Sequence, residues 1–402
     1  MEENAWLETI LKKSNVEKSI SRVLNVKVDK LISNGDYYTS DIETVTIDAL
    51  LTSGRKTKIS LIRKKWALLK DVAQQGSPAV KKEVQVYEQI LKKFDQLMDE
   101  YQDNNDRLWC NLIGYEPYSS MVLENMKAQN FKVAPRQNLL DLNHVLLVVT
   151  SLGRFHALGH VLIRKGLAAQ EDFPEHYIQR DSKAINLMFT IGVKEVSEQI
   201  KNNWSDEWKE IAERLHKQHP IVLEKLRNLF KKDEKTFQTL CHGDVWTCNM
   251  MFKYCPYDEK VPIAVKFIDY QTVYTNSYIF DIMHFLHACV QPEIAHNMID
   301  KILSVYHKSL KTTLAIYGME DDSPTIEQIK AEAERIQYFG FIMNIILLPV
   351  TSSTLPTKAL DLENLFRDSE NPKVFDPELH KTVKCKEVLE PVLKHWLKKG
   401  LF

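Results

Sequence analysis

Strand-like patterns in this chain are gathered into its first 125 residues, and from about Leu139 onward helical periodicity takes over. A chain divided in this way builds a small sheet-containing lobe followed by a larger, mostly helical one, an α+β arrangement in two parts. In the first part, residues 26–32, 45–47 and 58–64 carry the β-rich patterns of three strands. Residues 33–40 between the first two are turn-rich, and Asn34-Gly35 is a hairpin signal. Ser77-Pro78 then opens a helix, with serine as cap and proline at the first helical position. Its apolar stripe runs Val80, Val84, Tyr87, Leu91 and Phe94.

In the second part, Leu142, Val145, Leu146, Val149, Leu152, His156 and Ile163 share one face of a long helix that Asp141 is placed to cap. Residues 205–219 and 220–232 read as two further helices. Others are expected around 279–289, after Ser323-Pro324, and ending near Lys399-Gly400. Residues 264–268, Ala-Val-Lys-Phe-Ile, are the exception and read as a short buried strand. His156, on the apolar side of its helix, is expected to be a hydrogen-bonded core residue.

Charge narrows the choice of partners. With 53 Lys and Arg against 54 Asp and Glu, nothing points to a polyanion-binding surface, so nucleic acid is not an expected partner. The opening MEENAWLETILKK lacks a basic segment followed by an apolar one, and the apolar run 339–350 is too short to span a bilayer. A cytoplasmic protein without a membrane partner is the expectation. Its six scattered cysteines are expected to be reduced and mostly buried.

The chemistry concentrates at Leu240-Cys241-His242-Gly243-Asp244-Val245-Trp246-Thr247-Cys248-Asn249, followed by Met250-Met251-Phe252. Phosphoryl transfer to a hydroxyl needs a carboxylate to take the alcohol proton and oxygen ligands to hold a metal on the phosphates. Asp244 and Asn249, five residues apart on one tight loop, supply both: Asp244 as base and Asn249 as a metal ligand. Phe267-Ile268-Asp269-Tyr270-Gln271 offers a second ligand, Asp269, directly after the buried strand. An amide oxygen and a carboxylate suit the hard cation Mg²⁺. Any one of these residues alone reads as a turn or strand-end residue; the order of all three points to a site. Glu83 lies three residues after Val80 and four before Tyr87, on the buried stripe, where a carboxylate needs a partner.

These segments resemble the kinase-type fold of choline and aminoglycoside phosphotransferases, and within that group the ecdysteroid kinase-like (CHK kinase-like) proteins. The resemblance extends to Gly153-Arg154-Phe155-His156-Ala157, to Leu123-Glu124-Asn125-Met126, to Phe280-Asp281-Ile282 with Phe285-Leu286, and to the C-terminal residues 396–402. It implies a bilobal protein-kinase-like fold: residues 1–125 form a nucleotide-binding lobe of antiparallel sheet plus helix, and 126–402 a helical lobe with the catalytic loop and acceptor pocket. ATP and Mg²⁺ are the implied cofactors. Glu124 and Met126 flank Asn125 in the implied hinge against the adenine, and Asn125 stands where the family has aspartate. His242 and Asp281 support the loop, Asp281 by bracing it. Gly35 and Ser40 are the implied contacts of the phosphate-covering loop, which has one glycine where three are usual.

The resemblance also supplies a partner for Glu83, a strand lysine that touches the α- and β-phosphates. The family register falls on Arg63, with Lys64 one place later. Alternation puts Lys64 on one face with Ile62, and Arg63 on the other with Leu61. Lys64 is taken as that cation and Arg63 is the alternative, which would put nucleotide affinity in question.

A small alcohol is the expected acceptor. Gly243 stands where protein kinases carry the arginine that reads a phosphorylated activation loop, and eleven residues between Asp269 and Asp281 leave little room for a peptide-docking segment. The resemblance implies a steroid-like or lipophilic alcohol. Trp204, Trp208, Tyr274 and Tyr278 are candidates to line its pocket, with ordinary core the favoured reading of each. The acceptor-binding residues, protein partners and oligomeric state are not specified by the sequence. Two alternatives stand beside this reading: a weak or inactive kinase-like binding protein, and a choline- or ethanolamine-type kinase.

Overall fold

The computed structural model describes residues 2–14, 19–31, 41–65, 78–117, 119–233, 235–356, 358–360 and 372–402. Strands β1 (Ile20–Lys30), β2 (Asp41–Leu51), β3 (Lys56–Lys65), β4 (Leu112–Glu116) and β5 (Ser120–Glu124) form one antiparallel sheet in the order β1-β2-β3-β5-β4. Alternation along β2 buries Val45, Ile47, Ala49 and Leu51 on one face. Helix α1 (Glu2–Lys13) closes that face with Leu7, Ile10 and Leu11. Each fully buried valine, leucine or isoleucine among them contributes about 1.5–3 kcal/mol of transfer free energy. The three strands expected from sequence are present, but longer at both ends in two cases; β1 begins six residues before the expected start and ends at Lys30. Asn34-Gly35, Ser40 and the Ser77 cap fall outside the described residues.

Residues 78–100 form a continuous helix, α2, whose middle six residues, Val86–Leu91, are π-helical. That turn shifts the phase of the buried stripe. Val84, expected inside, is half-buried, whereas Lys82, Glu83 and Val86 are buried. A pure 3.6-residue period does not anticipate a π-turn, a feature often found at functional positions.

The remainder is mostly helical, as expected. Asp141 caps α3 (Leu142–Arg164) by accepting from the His144 amide at 3.1 Å. The helix is buried well beyond one stripe, packing against α9 (Ile299–Ile316), β7 (Gln238–Cys241) and β9 (Asp258–Phe267). Among the described residues it alone is long and apolar enough to cross a membrane, and it is a central core helix here. The helices expected at 205–219 and 220–232 shorten to α5 (Lys209–His216), preceded by a 3₁₀ turn, and α6 (Val222–Leu229). Between α3 and α5 lies α4 (Lys183–Asn203).

Helices α7 (Ile279–Cys289), α8 (Pro292–Asn297), α10 (Ile326–Ser352) and α11 (Val383–Lys398) complete the bundle. Buried Asn344 links three of them, donating to the His287 carbonyl at 2.7 Å and accepting from the Trp396 indole at 2.8 Å. All six cysteines are free, and five are buried.

The expectation of a single strand in this part is corrected. Besides β9, there are β6 (Phe131–Lys132) and β8 (Met250–Cys255) in one small sheet, and β7 paired with β10 (Tyr274–Ser277) in another. Runs of two to six residues are too short to show a period of two, and their pairing comes from the tertiary fold.

Candidate active site

The two small sheets position the site. Strand β7 delivers the chain into His242, and β10 returns antiparallel beside it, with Tyr274 opposite Cys241. Gly159 lets α3 come close: a Cβ there would lie 2.6 Å from Thr239 Oγ1. Gly243 adopts φ +84°, and a Cβ on it would lie 2.4 Å from the Thr272 carbonyl oxygen. Only glycine fits that turn without strain.

The loop is held from below by Asp281, in the first turn of α7. Its buried carboxylate accepts from the His242 amide (2.6 Å), the Gly243 amide (2.9 Å) and His156 Nε2 (3.1 Å). Burial works against the charge, but these donors and the nearby His156 and His242 hold Asp281 below the usual carboxylate range. His156 spends its other nitrogen on the Tyr306 hydroxyl at 2.9 Å, as a hydrogen-bonded core histidine. Cys241 joins His156 and Asp281 within metal-binding distance. Its thiol is donated to backbone carbonyls at Asn276 and Ser277, so the trio is a brace.

His242 Nε2 donates to the Ile268 carbonyl at 3.1 Å, tying the loop to the end of β9. His176, which the sequence reading passed over, donates from Nε2 to the Gly243 carbonyl at 3.3 Å.

Above this base, Asn249 Nδ2 donates to Asp244 Oδ2 at 2.7 Å and to the Asp244 carbonyl at 3.0 Å. The nitrogen end of the amide is thereby directed at Asp244. A quarter of the Asp244 side chain remains exposed. Burial and the neighbouring Asp269 push its carboxyl up to about 7, against the Asn249 hydrogen bond. On its inner side, His284 Nε2 lies 3.8 Å from Asp244 Oδ1.

The third cluster joins the large sheet to this loop. Lys64 Nζ lies 3.0 and 2.8 Å from the two Glu83 oxygens and 2.8 Å from Asp269 Oδ1. Burial disfavours the ammonium, but Asp269 and Glu83 outweigh it and raise the Lys64 pKa. Glu83 is itself raised by burial, opposed by Lys64. Asp269 sits at φ +68°, a left-handed conformation that aspartate tolerates better than most residues.

Arg63 faces the other side of β3. It pairs at 2.8 Å with Glu43, its direct cross-strand neighbour, and Lys65 reaches the same carboxylate at 2.9 Å. Lys64, and not Arg63, is thus the cation turned toward Glu83 and Asp269.

The 124–126 segment follows β5. Glu124 accepts from the Asn111 side chain at 3.0 Å, and its amide donates to the Asn111 carbonyl at 3.0 Å. Asn125 donates to Ser60 Oγ at 2.8 Å, a bond that the family's aspartate does not donate, and Met126 is buried. Gly35 and Ser40 lie outside the described residues. Trp204, Trp208, Tyr274 and Tyr278 are all buried in the core, the two tryptophans edge to face with ring centres 4.9 Å apart. His176 and His284 carried no motif of their own. His284 lies inside a segment read only for Asp281, Phe285 and Leu286.

Comparison with known families finds a match over most of the chain. The ecdysteroid kinase-like family model covers residues 34–319, which include the 242–249 loop, Lys64, Glu83, Asp269 and Asp281. No curated protein matches the chain. With more than half of its 402 residues matched, the chain belongs to the ecdysteroid kinase-like family, a group of kinase-like small-molecule phosphotransferases.

Proposed function

We propose that this chain transfers the γ-phosphoryl group of Mg²⁺-bound ATP to a hydroxyl of a small steroid-like or lipophilic alcohol. The observation that carries the reading is the Lys64 ammonium held at 2.8 Å from both Glu83 and Asp269, beside a loop whose exposed carboxylate is Asp244. In it, Lys64 meets the α- and β-phosphates and Glu83 fixes its direction. The backbone around Glu124 and Met126 meets the adenine.

Asn249 and Asp269 would hold Mg²⁺, and their oxygen donors suit it. The bound ion would supply charge neutralisation on the phosphates. Asp244 accepts the proton as the acceptor oxygen bonds to the phosphorus and ADP leaves. Burial moves the Asp244 carboxyl up from the usual carboxylate range, the direction a base working near neutral pH requires.

A small acceptor is favoured over a peptide by the course of the chain after Asp269. It passes through a 3₁₀ turn at Tyr270–Thr272, pairs as β10 with β7, and enters α7 at Ile279. That path leaves no loop of the length a peptide-docking segment needs. The same reading places the protein in the cytoplasm, with no nucleic-acid or membrane partner.

The test is incubation with Mg²⁺-ATP and a panel of steroid and phenolic alcohols, with choline and ethanolamine included. Phosphorylated alcohol that disappears in Asp244→Ala supports the reading, and product from choline or ethanolamine alone moves the acceptor to that class. Nucleotide binding without product on any acceptor favours an inactive binding protein. Labelled proteins without labelled alcohols would overturn the small-acceptor assignment.

A further inference from the structure

His284 is 1% exposed on α7, three residues after Asp281, and its Nε2 has no hydrogen-bond partner among the described residues. Its neighbours include Asp244, with Oδ1 3.8 Å from Nε2, Phe339 of α10, with ring centres 6.2 Å apart, the ring of His176, and the more distant charges of Asp281 and His242. An apolar side chain would pack in this place without leaving a ring nitrogen unsatisfied, and buried polar atoms without partners are costly enough to be rare. The unsatisfied nitrogen is aimed at the one carboxylate oxygen of Asp244 that Asn249 does not hold. Burial keeps the ring neutral, with a pKa lowered to about 4, so one nitrogen carries the proton. Beside a carboxylate that proton belongs on Nε2, because a bare lone pair there would face negative charge.

We propose that His284 is a positioning residue for the base: its Nε2–H donates to Asp244 Oδ1 in the substrate-bound enzyme, while Asn249 holds Oδ2. A separation of 3.8 Å is about 1 Å longer than a hydrogen bond, and such contacts in active sites commonly tighten only when substrates bind. A carboxylate has about four lone-pair directions. One donor on each oxygen stops the group from rotating and leaves the remaining directions to the exposed quarter of the side chain, where an acceptor hydroxyl arrives. His284 Nε2 is itself closed to solvent, so it acts through Asp244 and does not touch the acceptor.

This rests on Asp244 being the base of the proposed reaction, and the experiment separates the two. In the first arm, ¹⁵N-histidine-labelled full-length protein is observed by NMR with Mg²⁺ and a non-hydrolysable ATP analogue, the His284 signals being those lost in His284→Gln. The proposal expects a protonated Nε2 whose shift moves in Asp244→Ala. An unprotonated Nε2, or a shift indifferent to Asp244→Ala, overturns it. This arm reads the contact whether or not the protein turns over.

In the second arm, slow hydrolysis of Mg²⁺-ATP uses water as the acceptor. His284→Phe should lower kcat about 10- to 100-fold with KM for ATP unchanged, a fraction of what a base contributes. His284→Gln, which restores an N–H donor, should recover much of that loss. In an Asp244→Ala background His284→Phe should have no further effect. An equal loss in both backgrounds, or a shared loss of thermal stability in the Phe and Gln variants that accounts for it, makes His284 a packing residue. Absence of turnover in the wild type would count against the reaction and leave the NMR arm to decide the contact.

Discussion

Lys64 and Asp269 are 205 positions apart in the chain and 2.8 Å apart in space. The contact ties the antiparallel sheet to the loop beyond β9, with Glu83 of α2 as the third member of the cluster. Because all three groups are largely buried, their charges are strongly coupled, and removing Lys64 leaves two carboxylates without their shared cation.

Substitution at the two adjacent cations should therefore separate cleanly. Lys64→Met is expected to weaken nucleotide binding at least about tenfold, as a lost charge-assisted contact does. Arg63→Met should leave nucleotide affinity within about twofold and lower the melting temperature, because the buried Glu43 then loses one of its two cationic partners among the described residues. Nucleotide titration and thermal unfolding of the two variants check this. Equal loss of affinity in both would move the phosphate contact away from Lys64.

Metal dependence should respond to the proposed ligands. Asn249→Ala and Asp269→Ala are each expected to raise the Mg²⁺ concentration for half-maximal turnover by about tenfold or more, in line with the loss of a coordinating group. Unchanged metal titrations in both would remove them from the metal site.

Gly243→Ala tests the shape of the loop. The added methyl would meet the Thr272 carbonyl oxygen at 2.4 Å, in a backbone conformation that disfavours side chains. A stability loss of about 1–3 kcal/mol is expected, with turnover falling by a larger factor than stability alone explains. Thermal unfolding and turnover measured on one preparation would show it.

Asp281→Asn should be the most destabilising of the site variants, by about 3–5 kcal/mol, since it removes the charge that three buried donors point at. The folded-state pKa of Asp281 is depressed, so its contribution is present above the ordinary carboxylate range and lost as pH falls through the folded value. The gap between wild type and variant should accordingly narrow in acid. Unfolding measured from pH 7 down to pH 3 would show whether it does.

Asp244 carries the opposite sign. Its carboxyl is raised from 3.8 to about 7, so the folded protein holds this proton more tightly than the unfolded chain. Stability from this group falls as pH rises from about 4 to about 7. Asp244→Asn should gain melting temperature relative to wild type across that window without Mg²⁺, and the gain should level off above it. A flat difference would mean that the carboxylate is not strained by its surroundings.

The division into a sheet-bearing part and a helical part was legible because period-two and period-3.6 patterns survive in single-sequence form over long segments. Asp141 announced its helix for the same local reason, by capping a run of apolar residues directly after it. Asp244, Asn249 and Asp269 stood out in the sequence by their order and spacing on two short segments, and the fold places Asn249 against Asp244. Strands β6, β7, β8 and β10 were not, since two to six residues carry too little pattern. The π-turn in α2 was hidden because one added residue in a helix changes phase without changing composition.

Sequence by itself determined which residue types stand in the 242–249 loop and that a carboxylate follows the next buried strand. It also placed Glu83 on a stripe where a carboxylate needs a partner. Tertiary structure decided between the expected cation, Lys64, and its alternative, Arg63. Arg63 and Lys64 are adjacent and similar in charge; alternation puts them on opposite faces of the strand, with Lys64 the expected cation and Arg63 the alternative. The register of β3 against β2 sends Arg63 to Glu43 and leaves Lys64 between Glu83 and Asp269. The same holds for His284, whose nitrogen, without a hydrogen-bond partner among the described residues, becomes visible only when α7 is laid beneath Asp244. Side-chain direction along a strand or helix is local, but what stands opposite is set by pairings between segments far apart in the chain.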